Sequence, residues 1–533
     1  MALPTADAST PSRWRSALRW RRLVEAVEAY PLERIGLAAL AAGVTLRLMA
    51  PFLMDFRSDG DTYTAMGHAW MMRHEFLMPY GDVTTWGPTP PAYSNHYPPA
   101  YPFFLGIVFT LFGFGLWQAK WAAVFVALAS LGVVYATTRD LYGRTAAALA
   151  AGILAVEPHL LWVTGAGFSE NMVLMFFALT MWAIVRSLKD DRYIVLAGLF
   201  AALAYLSRAS VGYFFVVAGM GGLLWRFYYR RWKVFTNVWY MLAIALFASI
   251  ALAWATRNVL LFGWVQETVT LFGRTYVVDV PLWETSSYTR YVQELALSKP
   301  DMWRHALWAK VPFFLAFLAW YTVPMLPETW KATKRIREEE TSALWLSVFL
   351  VWVIAWIIAG MFWVFEQSSL YWLDNRRYVL IGCLPLLWLV LREARTERAS
   401  FRLRYVLLAL SLFAACGSTI LSPVKFSDLR AAEHMDPYLR EGDEVAVDGN
   451  TIKYAFYPYL THPEKIQIYG WGGSERPHFI VSLKGDGIYG DEYTRVGEFR
   501  QTYWNGGVMT AYLLARDDVI AARGIETGVV YSS

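Results

Sequence analysis

Apolar residues in this chain come in blocks long enough to cross a bilayer. A hydrocarbon core about 30 Å thick needs roughly 20 apolar residues in a helix. Such blocks fall at 34–54, 117–138, 145–163, 170–188, 193–207, 210–228, 235–256, 306–326, 342–364, 376–392 and 404–422. That is about eleven spans. The stretch 97–113 is apolar but short and opens on prolines, which suits an interfacial or re-entrant segment. Only 17% of the 533 residues are charged, against about 25% in soluble domains. The basic segment 1–33 precedes the first block, which reads as an uncleaved first helix. The chain is therefore expected to be a polytopic α-helical membrane protein.

The charges report sidedness. One alternate set of loops carries Arg13 to Arg22, Arg139 with Arg144, Arg186 with Lys189 and Arg192, and Arg226 to Lys233. The same set continues with Lys331 to Arg337 and Arg392 to Arg404, whereas Glu75 to Gln118 contains no Lys or Arg. Cytoplasmic loops hold the excess of basic residues. That rule places 1–33 in the cytoplasm, and 55–116, 164–169, 257–305, 365–375 and everything from about 423 outside. The segments are then a cytoplasmic N-terminus (1–33), a transmembrane domain (34–422) with an external loop at 55–116, and an extracytoplasmic tail (423–533).

The tail is rich in charge, Gly and Pro. Short apolar runs at 444–448, 466–469 and 478–483 read as strands, and 450–460 as a helix, which suggests a small α/β domain. Cys383 and Cys416 each lie in an apolar run and suit small buried hydrophobes. There is no CxxC or Cys/His cluster to suggest zinc or a disulfide framework. No GxxxxGKS, HExxH or GxSxG motif occurs, which leaves a nucleotide-driven pump, zinc protease or α/β-hydrolase unsupported.

The external face holds the candidate chemistry. After the first block comes Asp55-Phe-Arg57-Ser-Asp59-Gly-Asp61-Thr-Tyr63, followed by Met66, Trp70, Met71 and His74 at helical spacing. That pattern predicts an amphipathic helix over 61–75 on the outer leaflet. One Asp at a helix start is an ordinary cap. Three carboxylates in seven residues exceed what a cap needs. One of them suits a general base, and a close pair suits a divalent cation; Asp-Gly-Asp allows both. The run from Pro88 to Pro102, with Tyr93, His96, Tyr97 and Tyr101, is a stiff aromatic loop suited to headgroups or sugars. Ser169-Glu170-Asn171 opens the fourth span, and an ionisable residue at that edge is a functional candidate. Arg47, Arg208, Arg257, Arg376 and Arg377 lie at outer ends of spans. A guanidinium fork matches two phosphate oxygens, although any one of these arginines could simply snorkel.

These motifs resemble the GT-C superfamily, in particular its polyprenyl-phosphate-dependent branch. That branch includes protein O-mannosyltransferases and the transferases that add aminoarabinose to lipid A. The resemblance runs from about Arg47 to Pro385. It is carried by Asp59-Gly-Asp61-Thr-Tyr63, Tyr97-Pro98-Pro99-Ala-Tyr101-Pro102, Arg139-Asp-Leu-Tyr-Gly143-Arg144, Ser169-Glu170-Asn171, Ala204-Tyr-Leu-Ser-Arg208 and Arg377-Tyr378 with Pro385. It implies inverting transfer of a sugar from a polyprenyl-phosphate donor to a glycan, lipid or protein acceptor outside the cytoplasm. Asp61 or Asp59 would be the base, with Asp61 preferred, and Glu170 would assist. Arg208, Arg257, Arg376 and Arg377 would bind the carrier phosphate, and Arg47, His96 and Tyr97 join the candidates for donor binding. Asp59, Asp61 and Glu170 would hold a divalent cation such as Mg or Mn if one is used. The chain departs from some relatives in lacking a basic residue between 75 and 116, and it has no Trp-Trp-Asp motif. Two other classes compete: a flippase or transporter of lipid-linked saccharide, and a non-catalytic scaffold whose tail docks a partner. Nothing in the sequence points to nucleic acid.

Overall fold

A computed structural model describes residues 32–54, 59–78, 92–93, 97–208, 236–262, 264–271, 274–281, 344–345, 384–385, 387–388, 391, 427–447, 459–470, 476–482, 490–502 and 508–532. Among the described residues, three helices are long and apolar enough to cross a membrane: α1 (Leu32–Leu53), α4 (Leu116–Tyr142) and α9 (Val238–Phe262, counted to Leu260). Among the described residues, four shorter helices lie between α4 and α9: α5 (Arg144–Val156), α6 (Pro158–Gly165), α7 (Glu170–Arg186) and α8 (Tyr193–Ser207). The expected blocks at 210–228, 306–326 and 404–422 lie outside the described residues, as does nearly all of 342–364 and 376–392.

The expected single span over 145–163 is instead two helices. Pro158 has no backbone N–H and cannot continue a helix from the preceding turn. Glu157 is extended there (ψ 121°) and caps α6, its Oε2 accepting from the Leu160 N–H at 2.8 Å.

Small residues set the closest helix contact. A Cβ on Gly36 would lie 2.6 Å from the Ala148 carbonyl carbon, and one on Gly152 would lie 2.5 Å from the Gly36 oxygen. The two backbones of α1 and α5 therefore touch, as small residues allow in lipid. Around this contact a core forms from Leu149, Ile153, Leu154, Leu174, Phe177, Trp345 and Trp388. The Trp388 indole donates to Thr138 Oγ1 at 2.7 Å and meets Trp345 edge-on at 4.9 Å.

Between α1 and α4 lie two further helices, α2 (Asp59–Arg73) and α3 (Ala100–Phe112), with a two-residue pairing of β1 (Leu77–Met78) and β2 (Ala92–Tyr93). Helices α2 and α3 cross at glycines, since a Cβ on Gly67 would meet Leu105 Cβ at 2.8 Å and one on Gly106 would meet the Trp70 ring at 2.4 Å. The sequence predicts α2 as a helix with one watery side. Instead every residue from Gly60 to His68 is buried, because α3 covers one flank and the tail another. After α9 comes an antiparallel hairpin, β3 (Trp264–Leu271) with β4 (Arg274–Pro281), which apolar-block reading of that loop does not foresee.

The tail is an α/β unit. Its sheet comprises β5 (Glu444–Val447), β6 (Gln467–Gly470), β7 (Phe479–Ser482), β8 (Tyr493–Thr502), β9 (Val508–Arg516) and β10 (Val529–Ser532), ordered β10-β8-β9-β7-β5-β6. Strand β5 is parallel to β6 and β7, while β9 is antiparallel to β7 and β8. Helix α10 (Ser427–Met435) lies on the β8–β9 face, and α11 (Asp517–Arg523) follows β9. The three expected strands are present as β5, β6 and β7. The expected helix at 450–460 lies almost wholly outside the described residues. Strand β8 escapes sequence reading because an irregularity between Arg495 and Gly497 breaks its alternation. Ala65 and Met66 of α2 belong to the same apolar core as Ala431, Met435, Val445, Ile468, Phe479 and Phe499 of the tail.

Candidate active site

The two acidic motifs meet through backbone. Helix α2 starts at Asp59-Gly60-Asp61. A Cβ on Gly60 would lie 2.1 Å from the Ala166 oxygen, so this position admits only glycine against the turn that joins α6 to α7. That turn uses Gly167 at φ 74°, a left-handed conformation that glycine adopts without strain. It is closed by Phe168 N–H to Val163 O at 3.1 Å, and Asn171 Nδ2 donates to Thr164 Oγ1 at 3.0 Å. Two residues past Asp61, the Tyr63 hydroxyl shares a 3.0 Å hydrogen bond with Ser169 Oγ. The Asp-Gly-Asp start and the Ser-Glu-Asn turn are thus one packed unit.

Asp61, Ser169 and Glu170 are each 0% exposed. Glu170 Oε1 pairs with Arg208 Nη1 at 3.1 Å. Arg208 caps the C-terminus of α8 in an extended conformation, φ −162° and ψ 108°, which turns it out of the helix. Burying carboxylates is costly unless they are paired, and a guanidinium meets that need for Glu170. Tyr63 is flanked edge-on by Tyr97 and Tyr101, both with ring centroids at 5.2 Å. The Tyr101 hydroxyl is buried without a hydrogen-bond partner among the described residues, within electrostatic reach of Tyr63 and Glu170.

Of the predicted residues, the structure brings together Asp61, Glu170, Arg208 and Tyr97. Asp59 begins α2, and its side chain lies outside the described residues. Arg257 is half-buried over the Trp254 ring of its own helix at 4.6 Å and donates to Asn258 Oδ1 at 2.7 Å. Arg47 is fully buried against the last carbonyls of α5. His96, Arg376 and Arg377 lie outside the described residues. Among the described residues, no three His, Cys, Asp or Glu side chains converge as a metal site would require. Sequence reading passed over Lys120, a buried cation in the first turn of α4 whose Nζ donates to Pro51 O at 3.1 Å. Its signal was a lone lysine opening an apolar span.

Residues 96–255 match the family model described as dolichyl-phosphate-mannose-protein mannosyltransferase. The fold is similar to that of ArnT from Cupriavidus metallidurans in the apo state, with TM-score 0.52 and 11% identity over 96% of this chain and 99% of that one. Over residues 96–255 the chain is thus similar to that family, and over nearly its whole length it shares the ArnT fold. A second structure of similar fold is the Archaeoglobus fulgidus oligosaccharyltransferase, solved in complex with Zn and sulfate, with TM-score 0.52 and 12% identity over 82% of this chain. The chain spans only 62% of that larger protein. No curated protein matches it by sequence. The family match takes in Tyr97, Tyr101, Glu170 and Arg208 but begins after the Asp-Gly-Asp start.

Proposed function

We propose that this chain is a GT-C glycosyltransferase, which transfers a sugar from a polyprenyl-phosphate donor to an acceptor at the extracytoplasmic face, with inversion at the anomeric carbon. The carrying observation is the packing of the buried Asp61 helix start on the turn that holds Glu170 and, through it, Arg208. The name of the matching family, a dolichyl-phosphate-mannose-dependent transferase, supports the donor class.

In this mechanism the acceptor's hydroxyl or amine gives its proton to Asp61 as its heteroatom attacks the anomeric carbon. Asp59 is the alternative base. The bond to the carrier phosphate breaks on the opposite side, and the leaving phosphate carries away the electron pair. Arg208, held at the site edge by Glu170, stabilises the charge that develops there, which is the kind of interaction that contributes most when water is excluded. Arg257, Arg376 and Arg377 are further candidates for the phosphate, and His96 and Tyr97 for the sugar. A divalent cation, if one is used, would draw its ligands from Asp59, Asp61 and Glu170. Glu170 is engaged by Arg208, which leaves Asp59 and Asp61 as the close pair that would hold such an ion.

The reading is tested with purified protein in liposomes and a panel of labelled polyprenyl-phosphate sugars. Donor-dependent transfer that Asp61→Asn abolishes supports it. Parental turnover in both Asp61→Asn and Asp59→Asn would remove the assigned base. Bidirectional movement of a lipid-linked saccharide without transfer would favour the flippase.

A further inference from the structure

The break at Glu157–Pro158 leaves orphaned backbone groups inside the apolar part of the fold. The last carbonyls of α5 lose their helical donors, and the first N–H groups of α6 lose their acceptors. In a hydrocarbon layer each such group costs several kcal/mol if left unpaired. Two side chains repair the break. Arg47 comes across from α1: its Nη2 donates to Leu154 O at 3.2 Å, and its Nη1 donates to Ala155 O and to Gly43 O of its own helix. Glu157 accepts from Leu160 N–H at 2.8 Å and lies in the electrostatic field of Arg47. Both are buried, at 0% and 1% exposure.

Beyond the break, α6 runs eight residues to Gly165, a rod of about 12 Å at 1.5 Å per residue. At its far end are Thr164, bonded to Asn171, and the turn against which Gly60 packs. The origin of α6 is therefore fixed by Arg47 and Glu157, and its end carries the second acidic motif.

We infer that Arg47 and Glu157 form a positioning pair, which sets α6 and through it places the Ser169-Glu170 turn against the Asp59-Gly60-Asp61 helix start. This rests on the transferase reading for its kinetic consequence, but its geometric consequence does not. The role differs from the phosphate ligand that the sequence suggests for Arg47, because the guanidinium is spent on backbone carbonyls.

The test compares Arg47→Met, Arg47→Lys and Glu157→Gln. Met removes every donor to Leu154 and Ala155. Lys keeps the charge and part of the hydrogen bonding. Gln keeps an oxygen for the Leu160 N–H and loses only the charge. Two readouts are taken on monodisperse protein. The first is hydrogen exchange at 60–64 and 166–171, the two faces of the contact. The second is kcat and donor KM. A positioning pair predicts faster exchange at both segments in Arg47→Met and a fall in kcat of roughly a hundredfold, as about 1 Å of misplacement gives, with donor KM unchanged. Arg47→Lys and Glu157→Gln should show the same changes in smaller degree. Unchanged exchange in all three variants overturns the inference, as does a raised donor KM with kcat intact, which is the behaviour of a phosphate ligand. Where Arg47→Met does not fold, the other two variants decide. Faster exchange at both segments in a protein that uses no donor would uphold the pair and sink the transferase.

Discussion

Glu170 and Arg208 sit 3.1 Å apart at the ends of two different helices, with the carboxylate wholly buried and the guanidinium nearly so. Removing one partner of such a pair leaves an uncompensated charge, at a cost of about 3–5 kcal/mol. Glu170→Gln and Arg208→Ala should each lower the thermal stability of the purified protein. The double variant should be more stable than the sum of the two losses, as a double-mutant cycle measures. Transfer should stay low in all three, because the double variant restores neutrality and not the cation.

Gly60→Ala is expected to be far more harmful than a methyl group at a helix start usually is. The new Cβ has no room before the Ala166 oxygen, and overpacking costs about 1–3 kcal/mol. Transfer should drop at least as much as in Ser169→Ala, which removes only the Tyr63 hydrogen bond. Equal activity in Gly60→Ala and the parent would show that the two motifs need not touch.

In the tail, Arg523 holds Asp443 through two hydrogen bonds of 2.5 and 2.7 Å and also donates to the Tyr438 carbonyl at 2.8 Å. Asp443 is 2% exposed. Arg523→Ala should loosen the start of β5 and the whole of α11. Hydrogen exchange on the full chain should show faster exchange at 440–447 and 517–523, with α4 to α7 unchanged.

Acid should weaken the tail in two steps. Burial lowers the His434 imidazole below its ordinary 6.5, against an opposing pull from Glu526. The unfolded chain then takes up the proton first, so this contribution is complete above pH 6.5 and is lost as pH falls through the lower folded value. Arg516 holds Asp518 below its ordinary 3.8, so the second loss comes only below that pH. Hydrogen exchange at 427–438 and 529–532 should quicken first, and His434→Gln should remove the first step alone.

Much of the transmembrane part could be read from the sequence, because lipid enforces continuous apolar helices. The blocks at 34–54, 117–138, 170–188 and 193–207 appear as helices close to their expected ends, and the block at 235–256 as a helix that runs on to Phe262. What escaped was decided by single residues and by contacts between distant segments. Pro158 split one block, and the glycines at 67 and 106 brought α3 onto α2 and buried it. The sequence places Arg47 at a span end, while the carbonyls to which it donates lie over a hundred positions away. The pairing of Glu170 with Arg208 was legible only as two charges on one face. The tail strands after residue 490 were hidden by polar faces and a register shift.

Ala65 and Met66 are packed into the same apolar core as Met435, Val445 and Phe499. Helix α2, which is covered on its other flank by α3, would therefore expose this flank to water without the tail. Heating should unravel both together, so activity and tail structure ought to vanish at one temperature. A tail grafted from another protein of this fold would have to match this patch before it could match any substrate.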